Sequence, residues 1–332
     1  MKIIVTGGAG FIGSVICSAL ADGGHTPVIL DSLVNGRGEF VKDKIFYEGD
    51  IGDAELLKKI VGEHPGVSFV IHCAERATID LSVSNPYEFY IANVVKSVGM
   101  FKTLCDLGVC NVIYSSSASI YEDAPGFMVS ESSPVNPRSP YARTKYITEM
   151  ILRDFCGAYG MKCIALRYFN PIGADPKLRS GIQPKNPHSI VKKLLNVLNG
   201  EEDSFVIRGS DWNTRDGTCI RDYVHVWDLA LAHVKAVENF DAAFAKAGGN
   251  GENFLPVNVG SGVGVTVKEF VFAFENVTRE KINVTIGEKR PGDVAGVYAG
   301  TRRAAETIGW EASLLLEEAI LDALRWEESL KK

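Results

Sequence analysis

Short apolar runs alternate with helix-like segments through the first half of this chain, and that alternation restricts the fold more than any other feature. The runs at residues 2–6, 27–31, 44–48, 67–73, 111–116 and 162–169 are rich in Val, Ile and Phe. Each is bounded by Gly, Pro or polar residues, the pattern of strands buried on both faces. Between them, residues 12–21, 54–64, 86–107 and 140–157 carry apolar positions at helical spacing, the last opening on Ser139 and Pro140. This repetition predicts an α/β fold. A doubly wound parallel sheet should carry helices on both faces and bind its ligand at the carboxyl ends of the strands.

The rhythm changes past residue 173. Residues 174–187 read as a loop, followed by a helical pattern at 189–200 and short strands near 205–208 and 283–286. Helical patterns return near 267–276 and 312–330, with a glycine-rich connection at 245–252. We expect a first domain over 1–175, rejoined by about 219–240, and a smaller α/β substrate domain over 176–332.

Composition narrows the class. A net charge of −6, with no cluster of Lys and Arg interleaved with aromatics, argues against nucleic acid as a partner. No apolar run reaches the ~18 residues of a membrane span. The N-terminal residues lack the basic region, apolar stretch and cleavage site of a signal peptide. The seven cysteines are scattered singly, which fits reduced thiols in a cytosolic protein and offers no metal-ligand spacing. Glycine is in excess, at 33 of 332 residues, so the backbone must turn sharply or approach something closely in many places.

Part of that excess falls between the first strand and first helix, where Gly7, Gly10 and Gly13 form GxxGxxG. Spacing alone is weak; the strand-to-helix context makes it a dinucleotide turn, with bare backbone for a pyrophosphate and free N–H groups at the helix start. Asp31 ends the second strand, where a carboxylate accepts from ribose hydroxyls and repels a 2′-phosphate, selecting NAD over NADP. Asp50 and Ile51 follow the third strand, placing a carboxylate within reach of an adenine amine.

Tyr141 and Lys145 lie four apart on one helix face, and Ser117 lies at the end of the fifth strand. A phenol of pKa near 10 works as a base at pH 7 only if its phenolate is favoured by roughly three units. One nearby cation supplies about 1–3 units. Lys145 together with a cationic nicotinamide ring meets the requirement. Tyr141 would then take a hydroxyl proton while hydride leaves the same carbon, with Ser117 bonding the reacting oxygen.

With these motifs, the sequence resembles the extended short-chain dehydrogenase/reductases, and within them the UDP-glucose (UDP-galactose) 4-epimerases, over nearly its whole length. The matching strings are NP at 85–86 through NV at 93–94, SSSASIY at 115–121, RYFNP at 167–171, NVGSG at 258–262 and RPGD at 290–293. Most specific is DGTCIRDYVHV at 216–226. The resemblance implies a Rossmann-type sheet with tightly held NAD, bound by Gly7, Gly10, Phe11, Ile12, Gly13, Asp31, Asp50, Ile51, Tyr141, Lys145 and Tyr168. It implies catalysis by Ser117, Tyr141 and Lys145 through a transient 4-keto sugar. UDP-sugar binding falls to Ser117, Tyr141, Asn170, Ser189, Arg221, Arg290 and Asp293. Family members pair as homodimers through helices of the first domain, so a homodimer is expected too.

The chain departs from the family in places. Residues 72–82 read HCAERATIDLS where the family has a small residue after His-x-Ala, and Ala77 stands where a lysine is frequent. Ser189 and Ile190, preceded by His188, replace an Asn-Leu pair at the uridine site. Val297 replaces a bulky aromatic found in some members, which extends the expected substrates to UDP-GlcNAc and UDP-GalNAc. A 4,6-dehydratase is disfavoured, because no carboxylate follows Ser117 before Glu122. A uronate epimerase or decarboxylase shares the catalytic triple and would need a cation such as Arg76 or His188. A catalytically inactive NAD-binding scaffold remains the alternative of a different class, and Tyr141→Phe separates it from the enzyme.

Overall fold

The computed structural model describes residues 1–182, 189–248, 253–289 and 294–331. Seven parallel strands form its main sheet: β1 (Lys2–Thr6), β2 (Thr26–Asp31), β3 (Ile45–Glu48), β4 (Val67–His72), β5 (Asn111–Ser117), β6 (Lys162–Tyr168) and β7 (Phe254–Val259). Their order is β7-β6-β5-β4-β1-β2-β3. Side chains alternate between two cores, as the pleat requires. Ile3, Val5, Ile71 and Leu166 face one side, while Ile4, Val28, Val70 and Val112 face the other. Both faces are covered, which is why these strands read as continuous apolar runs.

The first six strands match the predicted runs to within a residue at each end. The seventh, β7, carries Pro256, which marks a sequence run as non-strand or edge. Its place at the sheet edge explains the tolerance: it pairs on one side alone, with β6.

Helix α1 (Phe11–Asp22) and helix α2 (Ala54–Glu63) lie on opposite faces of the sheet. The predicted single helix at 86–107 is interrupted: a short helix over Pro86–Tyr90 passes through a π turn at Ile91–Val95 into α3 (Lys96–Asp106). Helix α4 (Pro140–Tyr159) starts where predicted. The Ser139 hydroxyl accepts from Ala142 N at 3.1 Å, a cap worth about 1 kcal/mol, and left-handed Gly160 closes the helix. Helix α5 (Val226–Glu238), not anticipated, packs Val226, Leu229 and Val234 into the core that α1 shares.

The remaining chain builds a smaller layer. Strand Ile220–His225 pairs in parallel with Asn170–Ile172 and antiparallel with Gly264–Thr266. Phe205–Arg208 pairs with Val284–Gly287. Helices Ile190–Leu198, Val267–Thr278 and Leu316–Ser329 cover them around Leu194, Phe270, Phe274 and Ile320. The last helix begins at Leu316 instead of near residue 312, because Asp228 holds the backbone N–H groups of Ser313 and Leu314 outside the helix. Among the described residues, no helix is long and apolar enough to cross a membrane.

Candidate active site

At the carboxyl ends of β1, β2 and β4 lies an open cavity, the concave kind of site that ligands occupy. Gly7, Gly10, Asp31, Gly36, Asp50, Ile51, Ala74 and Glu75 are among its lining residues. The three motif glycines have different reasons. Gly7 has φ +73°, and a Cβ on it would stand 2.6 Å from Ala74 N. A Cβ on Gly13 would stand 2.2 Å from the Gly7 carbonyl, so this glycine lets α1 pack against the turn. Gly10 meets protein only at the Gly7 carbonyl, 3.2 Å away, and otherwise opens on the cavity. It is the one of the three whose bareness serves a ligand. Phe11 and Ile12 pack their side chains against the core, leaving backbone N–H groups of an uncapped helix start as what they offer.

Asp31 is 8% exposed; its carboxylate accepts from Ala9 N at 3.0 Å and Leu33 N at 2.9 Å. Burial raises its pKa above the usual carboxylate value, and the two amides oppose that rise. Two oxygens with about four lone-pair sites leave room for ribose hydroxyls. Asp50 lines the same cavity but is already paired with Lys96 Nζ at 2.5 Å. Arg76 pairs with Glu88 at 3.2 Å, so the cation that a uronate would need is already matched by a carboxylate.

Beyond Glu75 lies the catalytic group. Ser117 ends β5; its hydroxyl faces the Tyr141 side chain and accepts from Ser119 N at 3.2 Å. Tyr141 and Lys145 project from α4, Lys145 only 1% exposed. Its ammonium donates to the Ser115 carbonyl at 2.5 Å and lies over the rings of Tyr114 and Tyr141 at 5.2 and 5.7 Å. The three predicted residues therefore converge.

A fourth group was not anticipated. Glu75 pairs with Lys145 Nζ through one carboxylate oxygen, and the other accepts from the Tyr141 hydroxyl at 3.4 Å. Burial and the Glu75 charge push the Tyr141 phenol well above 10, with the Ser117 hydroxyl opposing the rise. That is opposite in direction to the lowering that Lys145 was expected to give: burial disfavours the phenolate most, and a carboxylate faces the ammonium besides. Burial in turn raises Glu75 above the ordinary carboxylate value, with Lys145 and Tyr141 opposing it.

The surrounding polar residues are closed on one another. His72 accepts or donates at both ring nitrogens, to Thr6 Oγ1 at 2.7 Å and Ser97 Oγ at 2.9 Å; burial pushes it down to about 3, so it stays neutral. Burial pushes the Cys73 thiol up to about 12, which removes it as a nucleophile at neutral pH. Tyr168, expected to touch cofactor, is buried with its hydroxyl on His233 and is not among the residues lining the cavity.

The strand register carries the catalytic end into the second module. Ser117 pairs with Tyr168, and Asn170 follows two residues later, itself paired with Tyr223. Asn170 donates to the Asp222 carbonyl at 2.9 Å, and Arg221 donates to the Ile220 carbonyl at 2.8 Å. Ser189 stands just before helix Ile190–Leu198, its hydroxyl buried and without a protein partner among the described residues. His188, Arg290 and Asp293 lie outside the described residues.

Several other motif residues hold the fold. Arg167 and Glu149, both buried, form a two-bond ion pair at 2.9 and 2.6 Å. Tyr121 joins them and also donates to Asn258 at 2.6 Å. A Cβ at Gly173, Gly217, Gly260 or Gly264 would meet His225, the Ser210 carbonyl, the Asp222 carboxylate or Tyr298 respectively, so these glycines are bare for the fold itself.

A doubly wound parallel sheet, a glycine turn opening on a cavity, an acid at the end of β2 and a Ser-Tyr-Lys group beyond it define a Rossmann-type protein of hydride-transfer chemistry. The sequence model of the NAD dependent epimerase/dehydratase family matches residues 3–252, and the chain belongs to that family. It is 37% identical over 333 aligned residues to a UDP-glucose 4-epimerase of Azospirillum brasilense, covering 100% of this chain and 93% of the relative. Among solved structures, a UDP-glucose-4-epimerase of Stenotrophomonas maltophila with bound NAD and formylated UDP-arabinopyranose superposes with a TM-score of 0.93. That pair is 31% identical, covering 100% of this chain and 99% of the other. The UDP-Glc/GlcNAc 4-epimerase of Campylobacter jejuni gives 0.82 at 30% identity, covering 99% of each chain. The resemblance read from the motifs is thus borne out along the whole length.

Proposed function

We propose that this chain is an NAD-dependent 4-epimerase that interconverts UDP-galactose and UDP-glucose. The observation that carries the reading is the junction at Glu75, where a glycine-turn cavity with an acid at its far end meets the Ser117–Tyr141–Lys145 group. The residues present fit the cofactor. Gly10 leaves space a Cβ would take, the first turn of α1 offers uncapped N–H groups, and Asp31 keeps acceptor capacity toward the cavity. Gly7, Gly10, Phe11, Ile12, Gly13, Asp31, Asp50, Ile51, Tyr141 and Lys145 are the residues we assign to it. When bound, NAD supplies the acceptor and donor of hydride for the sugar C4 carbon.

The chain's own groups do the rest. Tyr141 takes the proton from the C4 hydroxyl and later returns it, and Ser117 bonds the same oxygen. Lys145 brings positive charge next to the phenol ring and holds α4 to β5 through the Ser115 carbonyl. The diphosphate and uridine fall to Arg221, Asn170, Ser189, Arg290 and Asp293, and the Ser189 hydroxyl, without a partner among the described residues, supports a ligand there. Arg221 suits a diphosphate because its guanidinium donates in a planar fork. Val297 packs half-buried against the cluster of Ala118, Ile120 and Phe169, and its small volume supports acceptance of UDP-GlcNAc and UDP-GalNAc as well.

We assign residues 1–175, with the returns through α5 and β7, to the cofactor domain and the rest of 176–332 to the nucleotide-sugar domain. Leu81, Val83, Tyr87 and Val95 are exposed apolar residues on consecutive helical segments of the first half, which supports pairing of two copies through that face. Cytoplasmic location is part of the same proposal.

Incubating purified protein with UDP-galactose, with and without added NAD, and analysing the sugar released by acid tests the reading. Glucose is expected, and its absence under both conditions contradicts it. The same assay with UDP-GalNAc decides the wider substrate range.

A further inference from the structure

Glu75 is a half-buried carboxylate that the catalytic scheme above does not use, and hydrogen bonds on both sides of it hold its backbone. The Asn93 side chain, carried on the π turn at Ile91–Val95, clamps the next residue on both sides. Its Oδ1 accepts from Arg76 N at 2.8 Å and its Nδ2 donates to the Arg76 carbonyl at 3.0 Å. The same amide donates to Thr144 on α4 at 3.1 Å, tying the loop to the helix that carries Tyr141 and Lys145. On the other side Ala74 N donates to Thr6 Oγ1 at 3.4 Å. π turns inside helices recur at functional sites, and this one fixes the backbone on which Glu75 stands.

We propose that Glu75 is a positioning residue for the proposed reaction: its carboxylate gathers the Tyr141 hydroxyl and the Lys145 ammonium into one cluster and opposes departure of the phenolic proton. The inference rests on the catalytic reading given above for Tyr141. Its physics is Coulombic. A carboxylate facing the ammonium cancels most of the positive field that would favour a phenolate, and its own charge lies within hydrogen-bonding distance of the phenol oxygen. Side chains from every neighbouring element face this charge. Lys145 and Tyr141 come from α4, Tyr114 from β5, Cys73 from the end of β4 and Tyr168 from β6. Of these the ammonium alone is cationic; His72, nearby on β4, is neutral, and Arg76 is turned onto Glu88. Glu75 also lines the cavity, so it links cofactor space to the proton-transferring group.

The consequence is a reaction whose working pH lies higher than Ser117, Tyr141 and Lys145 alone would set. Glu75→Gln keeps the shape and an acceptor oxygen but removes the charge, Glu75→Asp keeps the charge, and Glu75→Ala removes both. Each is compared with the parent chain in the pH dependence of kcat for UDP-galactose with saturating NAD. Ultraviolet titration of the phenolate band gives a second readout, with Tyr141→Phe in each background isolating the Tyr141 signal. The acid limb of kcat and the Tyr141 titration should both move down by about one to two pH units in Glu75→Gln and Glu75→Ala. Glu75→Asp should stay close to the parent. Superimposable Tyr141 titrations in the parent and Glu75→Gln overturn the proposal, as does an equal shift in Glu75→Asp. If no variant or parent turns over UDP-galactose, the catalytic reading fails, while the titration still decides the role of Glu75.

Discussion

Asp31 and Asp222 are the same residue type, both buried, both beside glycine-rich turns, and they do opposite work. Asp31 accepts two backbone N–H groups and borders a cavity. Asp222 accepts four hydrogen bonds, from Ser261 N and Oγ at 2.7 Å and from Gly262 N and Ala299 N at 3.0 Å. A Cβ on Gly260 would stand 2.5 Å from its carboxylate, so that glycine is bare for Asp222 itself. The lesson is about remaining capacity. A carboxylate whose acceptor sites are filled by its own chain fastens the fold, whereas one with sites left over and space in front of it holds something else. The two turns look alike as strings of glycine and polar residues, and the hydrogen bonds tell them apart.

The comparison extends to other residues, and each substitution below can break it. Tyr141 belongs with Asp31, because its hydroxyl makes a long bond to Glu75 and faces a reacting oxygen in the proposed scheme. Tyr141→Phe should lower kcat for UDP-galactose by ~10²–10⁴-fold while leaving the unfolding midpoint and NAD binding near the parent values. Unchanged turnover would remove Tyr141 from the chemistry.

Asp222→Asn gives two N–H donors an amide NH₂ in place of an acceptor, and should cost about 2–4 kcal/mol in urea unfolding. The same substitution at Asp31 should cost only about 1–2 kcal/mol. Loss of one negative charge near the ribose should relax preference for NAD over NADP about tenfold, as read by binding of the two dinucleotides. If Asp222→Asn were the one that altered cofactor preference, the comparison would be the wrong way round.

His72 belongs with Asp222, both of its nitrogens being engaged inside the fold. Its folded pKa, about 3, lies below the ordinary value near 6.5, so the unfolded chain binds a proton first as pH falls. Its contribution to stability is complete above pH 6.5 and is lost as pH drops from there toward 3. Between pH 6.5 and 5.5 the parent should lose about 1 kcal/mol relative to His72→Asn in urea unfolding. Parallel curves for the two proteins would show that His72 is not held neutral.

How much of this could be read beforehand follows the same physics. Strands β1–β6 were legible because burial on both faces leaves uninterrupted apolar runs, and α4 because Ser139 and Pro140 mark its start. Strand β7 was hidden by Pro256 and Asn258, residues that only an edge strand with a buried Tyr121 partner makes sensible. The π turn at Ile91–Val95 left no periodic mark, since one displaced turn hardly alters a helical pattern.

In the site, Ser117, Tyr141, Lys145, Gly10 and Asp31 were legible from spacing and strand ends. Glu75 was visible only as an oddity of the loop. Its meaning needed the contact between that loop and α4, which Asn93 makes across 51 residues of sequence to Thr144. The string at 216–226 was read for its arginine, while Asp222 beside it carries four bonds that sequence does not display.

The central claim is that the residues meeting at Glu75 serve hydride chemistry on a sugar carbon, and an isotope reads it most directly. UDP-galactose carrying deuterium at C4 should give UDP-glucose that retains the deuterium at C4, because hydride leaves and returns without passing through water. Product that has lost the label to solvent would place the chemistry on a proton at that carbon and contradict the account.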